Sequence, residues 1–138
     1  MEVSQISRKP AVTCTPATTF REVAWLMRDE GVGSVIVADR SRLRGIVTDR
    51  DVIVRGLAEG MDLETPVEKV MTTDVEFVTS SDDVSFAATR MATRGCRRLP
   101  VLDGLGAVEG IVTMDDLVLV FAEQIGKLAH TVRSEMAR

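Results

Sequence analysis

The stretch GIVTDRD occupies residues 45–51 of this chain, and the closely similar stretch GIVTMDD occupies residues 110–116. Both belong to a longer internal match, which aligns Thr15 with Thr79 and continues along the sequence. One extra residue in the loop DGLGAVEG shifts the alignment by one position before the second stretch. Because the similarity covers the whole unit, it indicates a duplication, and the repeated unit decides the fold.

The first unit carries the signals of a β-α-β-β-α order. A short strand near residues 12–15 precedes a helix, for which Thr19 and Glu22 fit a capping box and Gly31 fits the C-terminal stop. The apolar stripe of that helix has helical spacing and consists of Phe20, Val23, Ala24 and Met27. Two β-branched runs follow, and a second helix is expected to begin at the threonine of GIVT.

The second unit repeats this order. A strand near residues 76–79 precedes a helix that is expected between Asp83 and Gly95, and two further apolar runs cover residues 98–102 and 108–113. The stripe of this helix consists of Val84, Ala87, Ala88 and Met91. Neither unit alone has enough apolar surface for a stable core, so two units that face each other are expected.

These signals predict a mixed α/β (α+β) protein of two tandem repeats. We expect repeat 1 over residues 1–56, a polar linker with a short helix at Pro66 over residues 57–74, and repeat 2 over residues 75–138. The last helix has an apolar stripe longer than one small unit needs, which suggests a partner helix; it consists of Leu117, Phe121, Ile125, Leu128, Val132 and Met136.

Composition limits the possible partners. The formal net charge of −4 argues against broad binding to nucleic acid or to an anionic membrane. The N-terminus has no long apolar run typical of a signal peptide, and the run LVLVFA is too short to cross a bilayer, so a cytoplasmic protein is expected.

Cys14 and Cys96 lack CxxC spacing and are interpreted as small buried apolar residues, with a redox-sensitive pair left open.

Catalytic constellations are missing from the sequence. His130 is the only histidine and lies on the polar side of the last helix, where a surface position is expected. No Ser-His-Asp set, glycine-rich phosphate loop or metal-ligand cluster is recognisable, so neither catalysis nor a metal nor a required cofactor is predicted.

The repeated threonine and aspartate of GIVTxxD permit two interpretations. Thr48 with Asp51, and Thr113 with Asp116, have the spacing of helix caps, which alone explains their repetition. The same geometry can hold a ligand, because free N–H groups at a helix start accept a phosphate, and a carboxylate accepts the two hydroxyls of a ribose. The pairs therefore fit a nucleoside phosphate as well.

The duplicated unit that closes in GIVTxxD resembles the cystathionine-β-synthase (CBS) domain, and two in one chain resemble a CBS pair, or Bateman module. The stretches TPVEKVMTTDVEFV, RRLPVLDG and GIVTMDDL carry the resemblance, and TDRDVIVRGLAEG is similar to small stand-alone bacterial members. Two stretches depart from the family pattern: GSVIV replaces a charged residue followed by LPV, and VSQISRKPAV is a degraded lead-in. The resemblance implies repeats packed through their sheets with pseudo-twofold symmetry.

The resemblance also implies two crossed ligand sites, in which the Thr and Asp of one repeat work with strand starts of the other. One site would combine Thr48 and Asp51 with Thr79, Arg97 and Arg98. The other would combine Thr113 and Asp116 with Thr15, Gly33 and Ser34. Since guanidinium groups bind phosphate in bidentate fashion, phosphate-bearing adenine nucleotides are expected at the first site. The second is expected to be empty or to hold an uncharged adenosine-like group.

Two functions follow from these observations. The first is a non-catalytic regulatory module that binds AMP, ADP or ATP, acts as a homodimer and relays the ligand state to a protein partner of unknown identity. The second is a ligand-free structural or interaction dimer, in which the threonines and aspartates only cap helices. Trp25 lies off the apolar stripe and is expected to cover a dimer surface, since tryptophan is enriched at interfaces.

Overall fold

The computed structural model describes residues 1–138 and contains two three-stranded sheets of identical topology. In each sheet the first strand runs parallel to the second, and the second runs antiparallel to the third. The first sheet is formed by β1 (Thr13–Cys14), β2 (Ser34–Asp39) and β3 (Arg42–Thr48), and the second by β4 (Val78–Thr79), β5 (Arg98–Leu102) and β6 (Val108–Thr113). The predicted mixed α/β fold with two repeats is confirmed.

Two helices of equal length connect the first and second strands of the sheets. Helix α1 spans Phe20–Glu30 and helix α2 spans Val84–Arg94. The capping box at Thr19 is present, and Gly31 and Gly95 end the helices with φ of 65°. Glycine adopts this left-handed conformation without the steric penalty of a Cβ atom, so both predicted stop signals are confirmed.

The buried face of α1 differs from the predicted stripe at one position. Phe20 and Val23 are fully buried, and Met27 packs against the core, but Ala24 is exposed. Leu26 contributes to the core in its place. The buried side of α1 therefore runs through Phe20, Val23, Leu26 and Met27.

The repeats close differently. In repeat 1 a π-helical segment, Asp51–Gly56, and a 3-10 turn, Leu57–Glu59, follow β3. In repeat 2 helix α3 follows β6 and spans Met114–Met136. Every residue of α3 beyond Val120 is exposed except Ala129, so its C-terminal half projects from the protein. None of the helices combines the length and the apolar character that a bilayer crossing requires.

Two cores of nine buried residues each underlie the sheets, and the segments that precede the repeats are exchanged between them. We call residues 3–8 and 67–72 the lead-in segments. Val3, which precedes the first strand of repeat 1, is fully buried in the core of repeat 2. Val67 and Val70, which precede repeat 2, are buried in the core of repeat 1. The boundaries 1–56, 57–74 and 75–138 stay a prediction, but part of the predicted linker supplies core residues.

The glycine of each GIVT stretch allows the exchanged segment to approach. Backbone hydrogen bonds join Ile46 to Thr72 and Ile111 to Arg8, at 2.9–3.1 Å. A Cβ atom at Gly45 would lie 2.6 Å from the Thr72 carbonyl oxygen, and one at Gly110 would lie 2.5 Å from the Arg8 carbonyl oxygen. The repetition of this glycine therefore has a packing cause.

Candidate ligand cleft between the repeats

The threonine and aspartate of repeat 1 cap the start of its closing helix reciprocally. The Asp51 N–H donates to Thr48 Oγ1 at 3.1 Å, and the Thr48 N–H donates to Asp51 Oδ2 at 2.9 Å. The second carboxylate oxygen, Oδ1, lies 3.6 Å from the Arg55 guanidinium. The bonds satisfy two polar groups that a helix start would otherwise leave unpaired.

Repeat 2 forms the same arrangement at the start of α3. The Asp116 N–H donates to Thr113 Oγ1 at 3.2 Å, and the Thr113 N–H donates to Asp116 Oδ2 at 2.9 Å. Here Oδ1 meets Arg8 of a lead-in segment at 3.4 Å. Each aspartate therefore uses one oxygen as a cap and directs the other toward a guanidinium group.

A cavity of about 540 Å³ lies between the two repeats. Repeat 1 contributes Thr48 from the end of β3, and repeat 2 contributes the turn from α2 into β5. The segment that leads into β4 completes the wall. The lining residues are Ile46, Thr48, Thr72, Asp74, Val75, Glu76, Arg94, Gly95, Cys96, Arg97 and Arg98. The volume suits a small organic ligand.

The three arginines of the cavity differ in their availability. Arg94 Nε donates to Glu76 Oε1 at 2.9 Å, which the Arg90 guanidinium also contacts at 2.9 Å. Arg97 reaches only the exposed Asp115, at 3.9 Å, and Arg98 forms no ion pair. Arg97 and Arg98 therefore have donors free for an anion, whereas Arg94 is already neutralised.

The structure brings together part of the first predicted site. Thr48, Arg97 and Arg98 line one cavity, and Asp51 is hydrogen-bonded to Thr48 without lining it. Thr79 lies at the end of β4, pairs with Leu102 and donates its N–H to Asp82. It does not line the cavity.

The residues of the second predicted site lie on several elements. Ser34 is opposite Thr48 in the β2–β3 register, and the Thr15 N–H donates to Thr18 Oγ1. The Gly33 carbonyl accepts the Asp49 N–H at 3.0 Å, with the Asp49 carboxylate beside it. Arg98 is likewise opposite Thr113 in the β5–β6 register, so the arginine strand adjoins both threonines.

Sequence analysis did not identify several residues that lie beside the threonine–aspartate pairs or line the cavity. Arg8 forms an ion pair with Asp116. The residue in the corresponding position of the other lead-in segment, next to the first threonine–aspartate pair, is Thr72. The same internal alignment that pairs Thr15 with Thr79 also pairs Arg8 with Thr72 and could have identified both. Glu76 and Arg94 had no counterpart of similar chemistry in repeat 1, so nothing in the repetition pointed to them.

The two cysteines are free and pack against different cores. Cys14 adjoins the core of repeat 1, where burial raises the pKa of its thiol to about 11, partly opposed by a hydrogen bond with Thr18. Cys96 adjoins the core of repeat 2 and lines the cavity. The raised pKa makes Cys14 a poor nucleophile near neutral pH.

Fold and cleft define a class: a duplicated α/β protein whose repeats enclose a cavity beside a capped helix start. A family model described as the CBS domain matches residues 3–57 and 67–123. The chain belongs to the CBS domain family. An uncharacterised 17.7 kDa protein of Acidianus ambivalens is 36% identical over 137 residues, covering 96% of this chain and 82% of the relative.

Solved structures of CBS proteins match the fold over nearly their whole length. The CBS domain pair of protein MJ0100, in complex with 5-methylthioadenosine and S-adenosyl-L-methionine, superposes with a TM-score of 0.79 at 26% identity, covering 90% of this chain and 98% of that one. PAE2072 from Pyrobaculum aerophilum, complexed with AMP, gives 0.78 at 26% identity, with coverage of 89% and 99%. The expected family and fold are confirmed.

Proposed function

We propose that this chain is a non-catalytic regulatory module that binds an adenine nucleotide, AMP, ADP or ATP, in the cavity between its repeats. The similar CBS pairs in complex with AMP or with adenosine-derived thioethers support an adenosine-containing ligand. No cofactor is required for this function, and the nucleotide acts as a regulatory ligand.

The observation that carries the proposal is the unpaired guanidinium of Arg98 in the same cavity as Thr48. Burying part of an arginine without a carboxylate partner is unfavourable unless an anion or water satisfies its donors. A phosphate can accept from Arg97, Arg98 and the Thr48 hydroxyl together. Asp74 and Glu76 on the same wall limit the positive charge, which favours a ligand with few phosphates.

Asp51 is the candidate ribose acceptor of this site. Its Oδ2 atom is engaged by the cap, while Oδ1 faces Arg55 across 3.6 Å. Arg55 is about half exposed, so the ion pair is weak and can be exchanged for ribose hydroxyls at little cost. The threonine–aspartate pair can therefore cap the helix and contact a ligand at once.

The second site, at Thr113 and Asp116, is proposed to be empty or to take an uncharged adenosine-like group. Arg8 occupies the free side of the Asp116 carboxylate at 3.4 Å. A ribose there must first displace Arg8, and Gly33 and Ser34 offer no cation for a phosphate. Thr15 and Thr79 remain candidates for contacts with the base through their backbone.

Calorimetric titration of the purified chain with AMP, ADP, ATP and S-adenosylmethionine tests the proposal. Arg98→Ser gives position 98 the residue that stands at the matching position 34 of repeat 1. We expect about a 10- to 100-fold loss of nucleotide affinity, since a hydrogen bond to a charged group contributes about 1.5–3 kcal/mol.

Arg133→Ser serves as the matched control, because it removes the same charge from an exposed, unpaired position on α3. It should leave the affinity unchanged. Equal binding by Arg98→Ser and wild type would refute the assignment of the phosphate subsite.

The alternative function is a ligand-free structural dimer, and the reciprocal capping bonds at Thr48 and Thr113 favour it. They give both residues a complete structural role. No heat of binding and no thermal shift with any of the four ligands would support this alternative, because a ligand at a hundred times its Kd stabilises a protein by about 2.7 kcal/mol.

We further propose that the module acts as a homodimer and relays the ligand state to a protein partner. A ligand that contacts both repeats shifts their arrangement by its difference in affinity for the two states. The exposed apolar residues of α3, together with Trp25, support a protein-covered helix face. The cytoplasmic location stays a prediction.

A further inference from the structure

The two repeats present opposite shapes on their helix faces. Trp25, the only tryptophan of the chain, projects from α1 with 49% of its surface exposed. The matching residue on α2 is Thr89, which is also exposed. Repeat 1 therefore has a large apolar protrusion where repeat 2 has none, and an exposed indole of this size is typical of an interface.

Repeat 2 has a groove at the corresponding face, between α2 and α3. Its volume is about 420 Å³, and eight of its ten lining residues are apolar. The small side chains of Ala88 and Ala92 form the floor on α2, and Met114, Leu117, Val118 and Phe121 form the wall on α3. A groove of this size and composition accommodates a bicyclic aromatic side chain.

The equivalent face of repeat 1 is polar. Arg28 stands where repeat 2 has Ala92, and Asp49 stands where it has Met114. The Arg28 guanidinium binds Asp29 at 2.8 Å, and Asp49 accepts the Arg50 N–H at 2.8 Å. Charged groups at these two positions leave no apolar groove beside Trp25, so the protrusion and the groove lie on different repeats.

We propose that Trp25 of one copy inserts into the α2–α3 groove of a second copy, in a head-to-tail dimer that places repeat 1 of each copy against repeat 2 of the other. A two-fold axis then forms the contact twice. This inference rests on the proposed homodimer but not on nucleotide binding.

Apolar residues next to both elements extend this contact. Ile53 and Val54 are exposed on repeat 1, and Ile53 matches the groove residue Val118, so it lies on the same side as Trp25. On repeat 2 the groove continues along α3 into a stripe with 3-4-3-4 spacing, formed by Val118, Phe121, Ile125, Leu128 and Val132. Such spacing is that of helices that pack against a partner.

A head-to-head dimer uses these surfaces poorly. It would set the Trp25 face against its own copy, with Arg28 and Asp49 nearby, and would set one empty groove against another. Neither Trp25 side chain would then meet an apolar groove, and both grooves would stay unfilled. The distribution of apolar and charged residues therefore favours the head-to-tail arrangement.

Light scattering coupled to size exclusion tests the contact with the full-length chain. Trp25→Ala removes the protrusion, and Ala92→Arg fills the groove with the residue that repeat 1 has at that position. Each should raise the dimer dissociation constant about a thousandfold, since a hot-spot anchor contributes about thirtyfold and two are lost per dimer. Thr89→Ala and Arg28→Ala are the controls at the matching positions and should leave the dimer intact.

A mixture of the two variants distinguishes the arrangements. In a head-to-tail heterodimer, Trp25 of the Ala92→Arg copy still finds the open groove of the Trp25→Ala copy, so mixing should restore dimers. The double variant on one chain should stay monomeric. If the mixture remains monomeric while each control dimerises, the head-to-tail contact is refuted.

Wild-type behaviour separates this inference from the proposed function. A wild-type monomer would overturn the homodimer and this contact together, while a dimer that survives Trp25→Ala would overturn the contact alone. Because Trp25 is the sole tryptophan, its emission reports burial directly, and dilution to monomer should shift the maximum to longer wavelength. An emission maximum that is independent of concentration across the dissociation would also overturn the contact.

Discussion

Repeat 1 closes with a short helical segment that ends at Glu59, whereas repeat 2 closes with a helix of 23 residues, half of which projects beyond the core. Their sheets nevertheless share the same order, strand directions and cap geometry. In repeat 1 Gly56 packs closely against the core: a Cβ atom there would lie 2.6 Å from the Phe20 ring. At the matching position repeat 2 has Phe121, which lines the α2–α3 groove.

This comparison separates two kinds of constraint. Positions that hold the repeats together, such as Gly45 and Gly110, are the same in both. Some positions of the cavity wall and of the exposed helix faces differ, as Arg98 differs from Ser34 and Trp25 from Thr89. The two units have therefore kept the close approach at their glycines, while parts of the cavity wall and of the exposed helix faces have diverged.

The largest expected effect concerns the shared glycines. Gly45→Ala and Gly110→Ala each place a methyl group about 2.5 Å from a backbone carbonyl that cannot move without loss of hydrogen bonds. We expect each to lower the free energy of unfolding by about 3 kcal/mol, as overpacking of a core does. Urea denaturation measures both values.

Gly104→Ala is the control, because a Cβ atom there meets nothing within 4 Å. Equal losses for the two buried glycines indicate that the approach of the exchanged segment is equally tight in both repeats. A negligible loss at either position would contradict the close approach at that repeat.

A second effect concerns the capping aspartates. Asp51→Ala and Asp116→Ala each remove the same hydrogen bond to a threonine N–H, so each should cost about 1 kcal/mol of stability. Their effects on nucleotide affinity should differ, because only Asp51 adjoins the cavity that contains Arg97 and Arg98. Titration calorimetry with AMP compares them, and loss of binding in Asp116→Ala but not in Asp51→Ala would reverse the assignment of the sites.

The smallest expected effect is on the loss of folding stability at low pH. Helix α1 is capped by Thr19, which does not titrate, whereas α2 is capped by Asp83. Hydrogen bonds from Ser85 and from the N-terminal amine lower the pKa of Asp83 from 3.8 to about 2. The depressed pKa means that its contribution is complete above about pH 4 and is lost as the pH falls toward 2.

Threonine is the residue type that caps α1. Replacing Asp83 by threonine should therefore remove the pH-dependent contribution of this cap to stability. The urea midpoint of wild type should fall more steeply between pH 4 and pH 2 than that of Asp83→Thr. Parallel decreases in the two proteins would show that other carboxyl groups determine the acid sensitivity.

Much of the fold could be predicted because the signals are local. Thr19, Gly31, Asp83 and Gly95 set helix ends through their own backbone and side-chain chemistry, which the sequence displays directly. Because the unit is duplicated, each of these signals occurs twice in the sequence, and each copy supports the interpretation of the other. Ala24 was misplaced because helical spacing determines a stripe only to within about one residue, and tertiary packing decides which residues at its edge are buried.

The exchange of the lead-in segments could not be predicted. Val3 and Val67 are buried by contacts with the other repeat, and no local pattern shows which of two similar cores a short apolar segment joins. For the same reason Arg8 was not associated with Asp116. The cavity was anticipated through Thr48, Arg97 and Arg98, but the ion pairs of Glu76 depend on tertiary packing.

The exchanged lead-in segments also bear on how such a chain originates. A single unit with its own lead-in would leave its core short of Val3 or Val67 and could complete it only by borrowing the segment of a second molecule. An ancestor with one unit would thus fold as an interlocked pair. Joining two such units in one chain would turn an association between molecules into a covalent tether and would free each half to mutate separately.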